Sequence, residues 1–134
     1  MIIAWIIGFI LHELFHYIVG KCEGADVYIK IWFWHKIPSM KCAIRSGSVS
    51  PLFYLAGGLG TCILFTLIGV FLLEGFCQYS ILLVACINGV YSIFETLYHD
   101  LPIDTYMKRH YLLYTYTGIT FTIIYGCYIC VIGV

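Results

Sequence analysis

Apolar stretches long enough to cross a lipid bilayer make up most of the 134-residue chain. A membrane-spanning helix needs roughly 20 predominantly apolar residues, and four stretches reach that length. They cover approximately residues 1–20, 52–73, 79–98 and 111–134. With 62% hydrophobic and only 10% charged residues, the chain is far more apolar than a soluble domain. The sequence therefore predicts a mostly α-helical membrane protein with about four transmembrane helices.

The long connection between the first and second stretches, about residues 24–50, has a different pattern. Its segments 27–34 and 40–46 are strand-like, and they flank a short stretch that contains the turn-former Pro38. We expect a small β-hairpin or sheet here, at the cytoplasmic interface of the membrane. No internal repeat divides the chain, and a chain of this length has little capacity for a second core. Residues 1–134 are therefore expected to form a single integral membrane domain.

The basic residues indicate how the chain crosses the membrane. They lie in the long first connection and in the third one, and the short second connection has none; they are Lys21, Lys30, Lys36, Lys41, Arg45, Lys108 and Arg109. By the positive-inside rule, the first and third connections face the cytoplasm and both termini face outward. We expect a multi-pass protein of the plasma membrane. The net charge of zero gives no indication of a nucleic-acid partner.

A cleaved signal peptide is the alternative interpretation of the first stretch, because Met1 is followed directly by an apolar run. Against it, no basic segment precedes the run and no small-residue cleavage site follows it. A removed leader would also have no use for the polar residues that this stretch contains. We therefore expect a mature first helix.

Those polar residues, His12, Glu13 and His16, form the pattern H-E-x-x-H. On a helix, positions i and i+4 share a face, so both imidazoles can reach one metal ion while Glu13 faces a water on that metal. Zinc suits this arrangement, with three protein ligands and one water at a catalytic site. A glutamate beside such a water can take its proton and pass it to a leaving amine. The pattern predicts peptide hydrolysis with one Zn²⁺ per chain.

Ionisable residues are rarely kept in a membrane span without a use, so a purely structural role for these three residues is the less favoured alternative. A zinc site also needs a third protein ligand. The candidates lie at or just beyond the cytoplasmic end of the third stretch, at the depth predicted for the two histidines; they are Glu95, His99, Asp100, Asp104 and His110.

Three of the polar residues in and after the third stretch have more than one possible role. Glu95 lies within the span, so it should face the bundle interior or a water-filled route to the metal. His99 can be a ligand, a proton shuttle or an interfacial histidine. Asn88 either lines the same cavity or makes a hydrogen bond between helices.

These motifs resemble the site-2 protease family of intramembrane zinc metalloproteases, from Leu11 to about Thr105. That family has H-E-x-x-H on one transmembrane helix, then a β-rich loop, then a helix that opens near Ala-Gly-Pro. A later helix ends in a pattern similar to Asn-Leu-x-Pro-x-x-Pro-x-Asp-Gly. Here Leu-Ala-Gly-Gly at residues 55–58 stands at the Ala-Gly-Pro position, and residues 96–105 match the last pattern in spacing.

The resemblance implies that His12, His16 and Asp104 bind the zinc ion and that Glu13 is the catalytic base. It implies a transmembrane protein as the substrate, cut in or near its membrane segment during regulated intramembrane proteolysis. An extended substrate segment is expected to pair with the edge of the hairpin. Neither a nucleotide nor a nucleic acid is an expected partner.

The chain departs from the family pattern at three positions. Thr96 stands where the family has an asparagine thought to hold substrate, and a threonine hydroxyl can still form a hydrogen bond there. His99 replaces the first proline, and Thr105 replaces the glycine. Thr96, His99, Glu95 and Asn88 are therefore candidates for contacts with the substrate or with the zinc ligands.

Two other functions are compatible with the sequence. One is a catalytically inactive relative that binds transmembrane segments. The other is a membrane metal-binding or transport protein that uses the histidines and carboxylates as a pathway. A transport pathway should continue across the membrane, and the outer halves of the predicted spans contain almost no metal ligands. A di-iron membrane oxidase usually needs several histidine-rich segments, which five histidines in this arrangement do not supply.

Overall fold

The computed structural model describes residues 2–34 and 37–132. They form α-helices and one two-stranded antiparallel sheet, in the order α1 (Ile2–Cys22), β1 (Asp26–Trp34), β2 (Ile37–Ser46), α2 (Pro51–Leu72), α3 (Gly75–Tyr98) and α4 (Ile103–Ile132). The prediction of a mostly α-helical chain with a hairpin in its long first connection is confirmed. Part of the predicted turn, residues 35 and 36, lies outside the described residues.

The chain divides into two compact units, Met1–Leu97 and Tyr98–Val134. The first unit contains α1, the hairpin, α2 and nearly all of α3, and the second contains α4. Among the described residues, three helices are long and apolar enough to cross a membrane: Ile3–Cys22, Pro51–Leu72 and Gly75–Tyr98. The fourth span, expected at about residues 111–134, stays a prediction.

Helix α1 has the exposure pattern of a helix that contacts lipid. One of its faces exposes large apolar side chains, those of Ile3, Ile7, Ile10, Leu14 and Ile18. The opposite face buries His12, Glu13 and His16. A soluble helix would turn its polar residues outward and its apolar residues inward. The reversed arrangement is expected where the surroundings are apolar and polar groups must find partners inside the protein.

A glycine at the end of α1 turns the chain back along the helix. Gly24 has a φ of 78°, a left-handed conformation that glycine adopts without steric cost. The N–H of Ala25 donates to the carbonyl of Gly20 at 3.0 Å, and the N–H of Gly24 donates to the carbonyl of Lys21 at 3.1 Å. These bonds satisfy carbonyls that the helix end would otherwise leave without partners. Strand β1 therefore begins beside the last turns of α1.

The base of the hairpin packs against α1 and α2. Val27 and Cys42 are buried in one apolar cluster with Ala25 and Phe53. Gly20 makes this contact possible, because a Cβ at that position would lie only 2.8 Å from a methyl carbon of Val27. Towards its turn the hairpin becomes exposed: in β1, Ile31 is 71% and Phe33 is 74% accessible.

Helix α2 begins at a capped Ser-Pro step that is tied to the end of α1. The Ser50 hydroxyl oxygen accepts a hydrogen bond from the N–H of Leu52 at 3.1 Å, and Pro51 occupies the first turn, where its missing N–H has no cost. The Glu23 carboxylate accepts hydrogen bonds from the N–H of Ser50 at 2.9 Å and from the Ser50 hydroxyl. This carboxylate fixes the start of α2 against the end of α1.

Small residues on α2 allow close approach of α1 and α3. A Cβ at Gly58 would overlap the backbone carbonyl of Asn88 on α3, and a Cβ at Gly60 would lie 2.6 Å from the Phe15 ring on α1. Further along, Phe65 packs with Val84 and Ala85 of α3 in a second apolar cluster. The described part of the first unit is therefore a three-helix bundle with the hairpin docked on one end.

The reactivity of the Cys42 thiol reports whether the hairpin is docked on the helices. Burial, with a contribution from the nearby Glu13 carboxylate, raises the pKa of the Cys42 thiol to about 11. Thiolate is the reactive form, so at pH 8 we expect Cys42 to react with a maleimide roughly a hundredfold or more slowly than an ordinary thiol. Its reactivity should rise about tenfold per pH unit until the pH reaches the pKa.

Peptide mass spectrometry after timed labelling measures the rate at Cys42, with the exposed Cys22 and Cys77 as internal controls. Equal labelling of all three would mean that the hairpin is not docked.

Candidate metal centre

The two histidines of the H-E-x-x-H pattern lie one helical turn apart on the buried face of α1. Their rings meet edge to face, with centroids 4.8 Å apart and an interplanar angle of 74°. The Nε2 atom of His16 lies 3.1 Å from the Nε2 atom of His12. Both imidazoles therefore direct the same nitrogen at one point, as the helical spacing predicts.

A carboxylate from α3 completes the group. Glu95 Oε2 lies 2.8 Å from His12 Nε2 and 3.0 Å from His16 Nε2, and its side chain is buried. Of the two surroundings expected for Glu95, the bundle interior and a water-filled route, its burial and its contacts with α1 agree with the first. His12, His16 and Glu95 form a group that can hold a metal ion, and it is the one such group among the residues that the structure describes.

The hydrogen bond of His16 to α2 shows that a cation or a proton is needed between His16 and Glu95. His16 Nδ1 lies 2.5 Å from the backbone carbonyl oxygen of Phe53 on α2. A carbonyl oxygen only accepts, so Nδ1 carries the hydrogen and, in a neutral ring, Nε2 presents a lone pair. Glu95 Oε2 also presents lone pairs to the same point. Two acceptors 3.0 Å apart repel each other unless a cation or a proton lies between them.

The donor set fits zinc. Two histidines and one glutamate are an established ligand set of catalytic zinc sites, which keep a fourth position for water or substrate. With zinc–ligand bonds of about 2.0–2.1 Å, the ligand atoms of a tetrahedral ion lie roughly 3.3 Å apart. The separations of 2.8, 3.0 and 3.1 Å in this group are slightly shorter.

Glu13 lies beside this group but is held by a different element. Its Oε2 accepts a hydrogen bond of 2.5 Å from the backbone N–H of Cys42 in β2. Both residues are buried, so the bond is shielded from water. The hairpin therefore fixes the orientation of the Glu13 carboxylate next to the two histidines.

The remaining predicted residues occupy different places. Asp104, expected as the third ligand, lies in the first turn of α4 with an exposed side chain and belongs to the second unit; its role as a ligand stays a prediction. His99 is also in the second unit, and its Nε2 lies 3.2 Å from Oδ1 of Asp100. Thr96 donates to the carbonyl of Ser92 within α3, at 2.8 Å, and its role in substrate binding stays a prediction. Asn88 lies next to His12, with its Oδ1 3.3 Å from His12 Nδ1.

Some participants were not identified from the sequence. The carbonyl of Phe53 and the N–H of Cys42 are backbone groups, which no residue pattern marks. Gly57 belongs to the Leu-Ala-Gly-Gly segment of the sequence, and that pattern does not show that a Cβ there would overlap the His16 ring and lie 2.6 Å from its Cδ2. The sequence offers Glu95 as one of several candidates for the third ligand, whereas the family resemblance favours Asp104; the position of Glu95 within a span is the signal that could have found it.

Comparison with known proteins gives no match to a protein family, to a curated protein or to a solved structure.

Gly57 provides a test of the centre that leaves every ligand in place. A methyl group in Gly57→Ala would lie against the His16 nitrogen that faces Glu95. We expect zinc affinity to fall by roughly ten- to a hundredfold, the range found when the surroundings of metal ligands are disturbed. Competition with a chromophoric chelator measures it. Gly69→Ala is the matched control, because the atoms nearest its methyl group would be those of Ile81 and Leu82, at 2.9 Å. Equal loss of zinc affinity in both variants would show that general crowding of α2, and not the His16 contact, is responsible.

Proposed function

We propose that the protein is an intramembrane zinc metalloprotease that hydrolyses a peptide bond in or near a transmembrane segment of another membrane protein. The observation that carries the proposal is the convergence of His12, His16 and Glu95, with Glu13 beside them, in helices apolar enough to cross a membrane. A transport protein would need ligands along a path across the bilayer. Among the described residues, one cluster is found.

Glu95 is the third ligand in this proposal. Its carboxylate oxygen lies within 3.0 Å of both imidazole nitrogens, and it reaches them from α3, within the same compact unit. The spacing of residues 96–105 favours Asp104 instead. A carboxylate already at the centre is the simpler ligand, so the proposed set is two histidines and one glutamate.

A zinc ion held by this set would supply a Lewis acid that polarises the scissile carbonyl and acidifies a water molecule. Glu13 then acts as the general base. Its Oε2 is engaged by the Cys42 N–H, which leaves Oε1 as the oxygen that accepts a proton from the attacking water. Oε1 afterwards gives that proton to the leaving nitrogen as the peptide C–N bond breaks. Burial of Glu13 and both histidines keeps other water away from the reaction.

The edge of β2 that faces away from β1 supports a way of presenting the substrate. The Cys42 N–H is directed at Glu13 and so away from β1. Alternate residues of a strand share this direction, so Met40 and Ile44 present their backbone groups along the same edge. An extended peptide that pairs with these groups runs past Glu13. A substrate helix must unwind locally to do so, because its own carbonyls are otherwise occupied by helical hydrogen bonds.

The distribution of lysine and arginine supports a position of the centre nearer the cytoplasmic side of the plasma membrane. The proposed partners are the bilayer and a transmembrane protein substrate, with neither a nucleotide nor a nucleic acid.

Zinc content distinguishes the two possible third ligands. We expect about one zinc per purified wild-type chain in detergent, the stoichiometry of a single catalytic site. Glu95→Ala and His16→Ala should lose it, because each removes a ligand, and Asp104→Ala should retain it. Elemental analysis of monodisperse fractions gives the result. Retention in Glu95→Ala with loss in Asp104→Ala would assign the ligand to Asp104 and leave the proposed protease activity standing. A folded wild-type chain without zinc would contradict the proposal.

Glu13→Gln separates the chemistry from metal binding. Glutamine keeps an oxygen that can accept from the Cys42 N–H but cannot take a proton, so zinc should remain bound while cleavage falls by roughly 10²- to 10⁴-fold. Cleavage can be followed by mass spectrometry on a panel of single-span proteins in detergent. Glu74→Gln, the same substitution at an exposed position between α2 and α3, is the control and should cut normally. If Glu13→Gln cuts at the wild-type rate, Glu13 is not the base.

A further inference from the structure

Asn88 lies between the metal centre and the backbone of its own helix. It is on the same face of α3 as Glu95, seven residues earlier, and only 1% of it is accessible. Its Nδ2 donates to the carbonyl oxygen of Val84 at 2.9 Å. Its Oδ1 lies 3.3 Å from Nδ1 of His12. The two ends of one amide therefore contact two different groups.

We infer that Asn88 is a positioning residue for the metal centre, which fixes the tautomer and the ring orientation of His12 so that Nε2 faces the ion. The inference rests on the proposed zinc site and extends it, because the function proposed above needs His12 only as a ligand.

The hydrogen bond to Val84 fixes which way the Asn88 amide is turned, and the amide in turn fixes the tautomer of His12. The Val84 carbonyl can only accept, so the NH₂ end of the Asn88 amide must face it and the oxygen must face His12. That oxygen also only accepts, so His12 Nδ1 must carry a hydrogen. A neutral imidazole has one N–H, and Nε2 is therefore left with its lone pair. Nε2 is the atom that lies 2.8 Å from Glu95 Oε2.

His16 has an equivalent support from another helix. Its Nδ1 donates to the Phe53 carbonyl of α2, as His12 Nδ1 donates to Asn88 of α3. The two ligands of α1 are thus set in the same tautomer by the two neighbouring helices. Metal-binding histidines commonly donate their second N–H in this way, and loss of the acceptor weakens metal binding by about 10- to 100-fold.

Asn88 is the more informative of the two supports, because a side chain can be replaced and a backbone carbonyl cannot. Leucine has a similar size and branching but accepts no hydrogen bond. Aspartate keeps an acceptor for His12 Nδ1, and when it is protonated on its other oxygen it also keeps a donor for the Val84 carbonyl. A residue that only fills space would tolerate leucine, whereas a positioning residue needs the acceptor. The pair Asn88→Leu and Asn88→Asp therefore separates the two roles.

The experiment measures zinc affinity by chelator competition and the visible spectrum of the Co²⁺-substituted protein, on the full chain in detergent. We expect Asn88→Leu to bind zinc 10- to 100-fold more weakly than wild type and to give an altered Co²⁺ spectrum, because His12 is free to rotate and change tautomer. Asn88→Asp should restore wild-type affinity within about threefold and the wild-type Co²⁺ spectrum. Ser80→Ala, which truncates another buried polar side chain of α3, should match wild type in both readouts.

The outcomes separate this inference from the function on which it rests. If wild type binds zinc and Asn88→Leu binds it equally well with an unchanged Co²⁺ spectrum, Asn88 has no positioning role, and the protease proposal is unaffected. If Asn88→Leu and Ser80→Ala weaken zinc binding equally, the effect is one of packing and the inference is wrong. If wild type itself binds no zinc, the metal site fails and the role of Asn88 fails with it.

Discussion

Removing two imidazoles and a carboxylate from water has a large free-energy cost unless their lone pairs meet a cation or hydrogen-bond donors. In this protein the groups come from α1 and α3, and their ligand atoms meet within about 3 Å of one another. The cost decreases further where neighbouring groups accept hydrogen bonds from the outer ring nitrogens, as the Phe53 carbonyl does for His16 and the Asn88 side chain for His12. These contacts bring α2 and α3 close to α1 at the depth of the histidines. Gly57 and Gly58 are where the approach is closest, because a side chain at either position would overlap the neighbouring helix.

The path of the chain after α1 brings strand β2 next to the metal centre. A left-handed glycine at position 24 ends the helix and reverses the direction of the backbone, so the base of the hairpin packs beside the last turns of α1. Glu23 holds the start of α2 through Ser50. The 28-residue connection between the first two helices, residues 23–50, is therefore held at its base by the apolar cluster and at its end by Glu23. Its position allows a backbone amide of β2 to reach a side chain of α1.

Local features of this architecture could be predicted from the sequence, and long-range ones could not. The observed α2 (Pro51–Leu72) and α3 (Gly75–Tyr98) begin within four residues of their predicted starts, because length and hydropathy are local. His12 and His16 share a face for the same reason. Glu95 is 79 residues from His16, and which face of α3 turns towards α1 depends on how Val84 and Ala85 pack against Phe65. Spacing alone could not separate Glu95 from Asp104. The Cys42 amide was not predictable at all, because every residue except proline carries the same group.

Because the N–H that binds Glu13 belongs to the backbone, side chains of the hairpin can change without loss of this hydrogen bond. The contact between the hairpin and Glu13 uses only main-chain atoms of residue 42, so it imposes no chemical identity on the residues around it beyond a size that fits the cluster. Outward-facing positions such as Ile31 and Phe33 make no part of the contact. Under the proposed function, the hairpin is an exchangeable module. Its exposed side chains can be substituted to accept different peptides. The hydrogen bond that orients Glu13 is kept, because the backbone of residue 42 makes it.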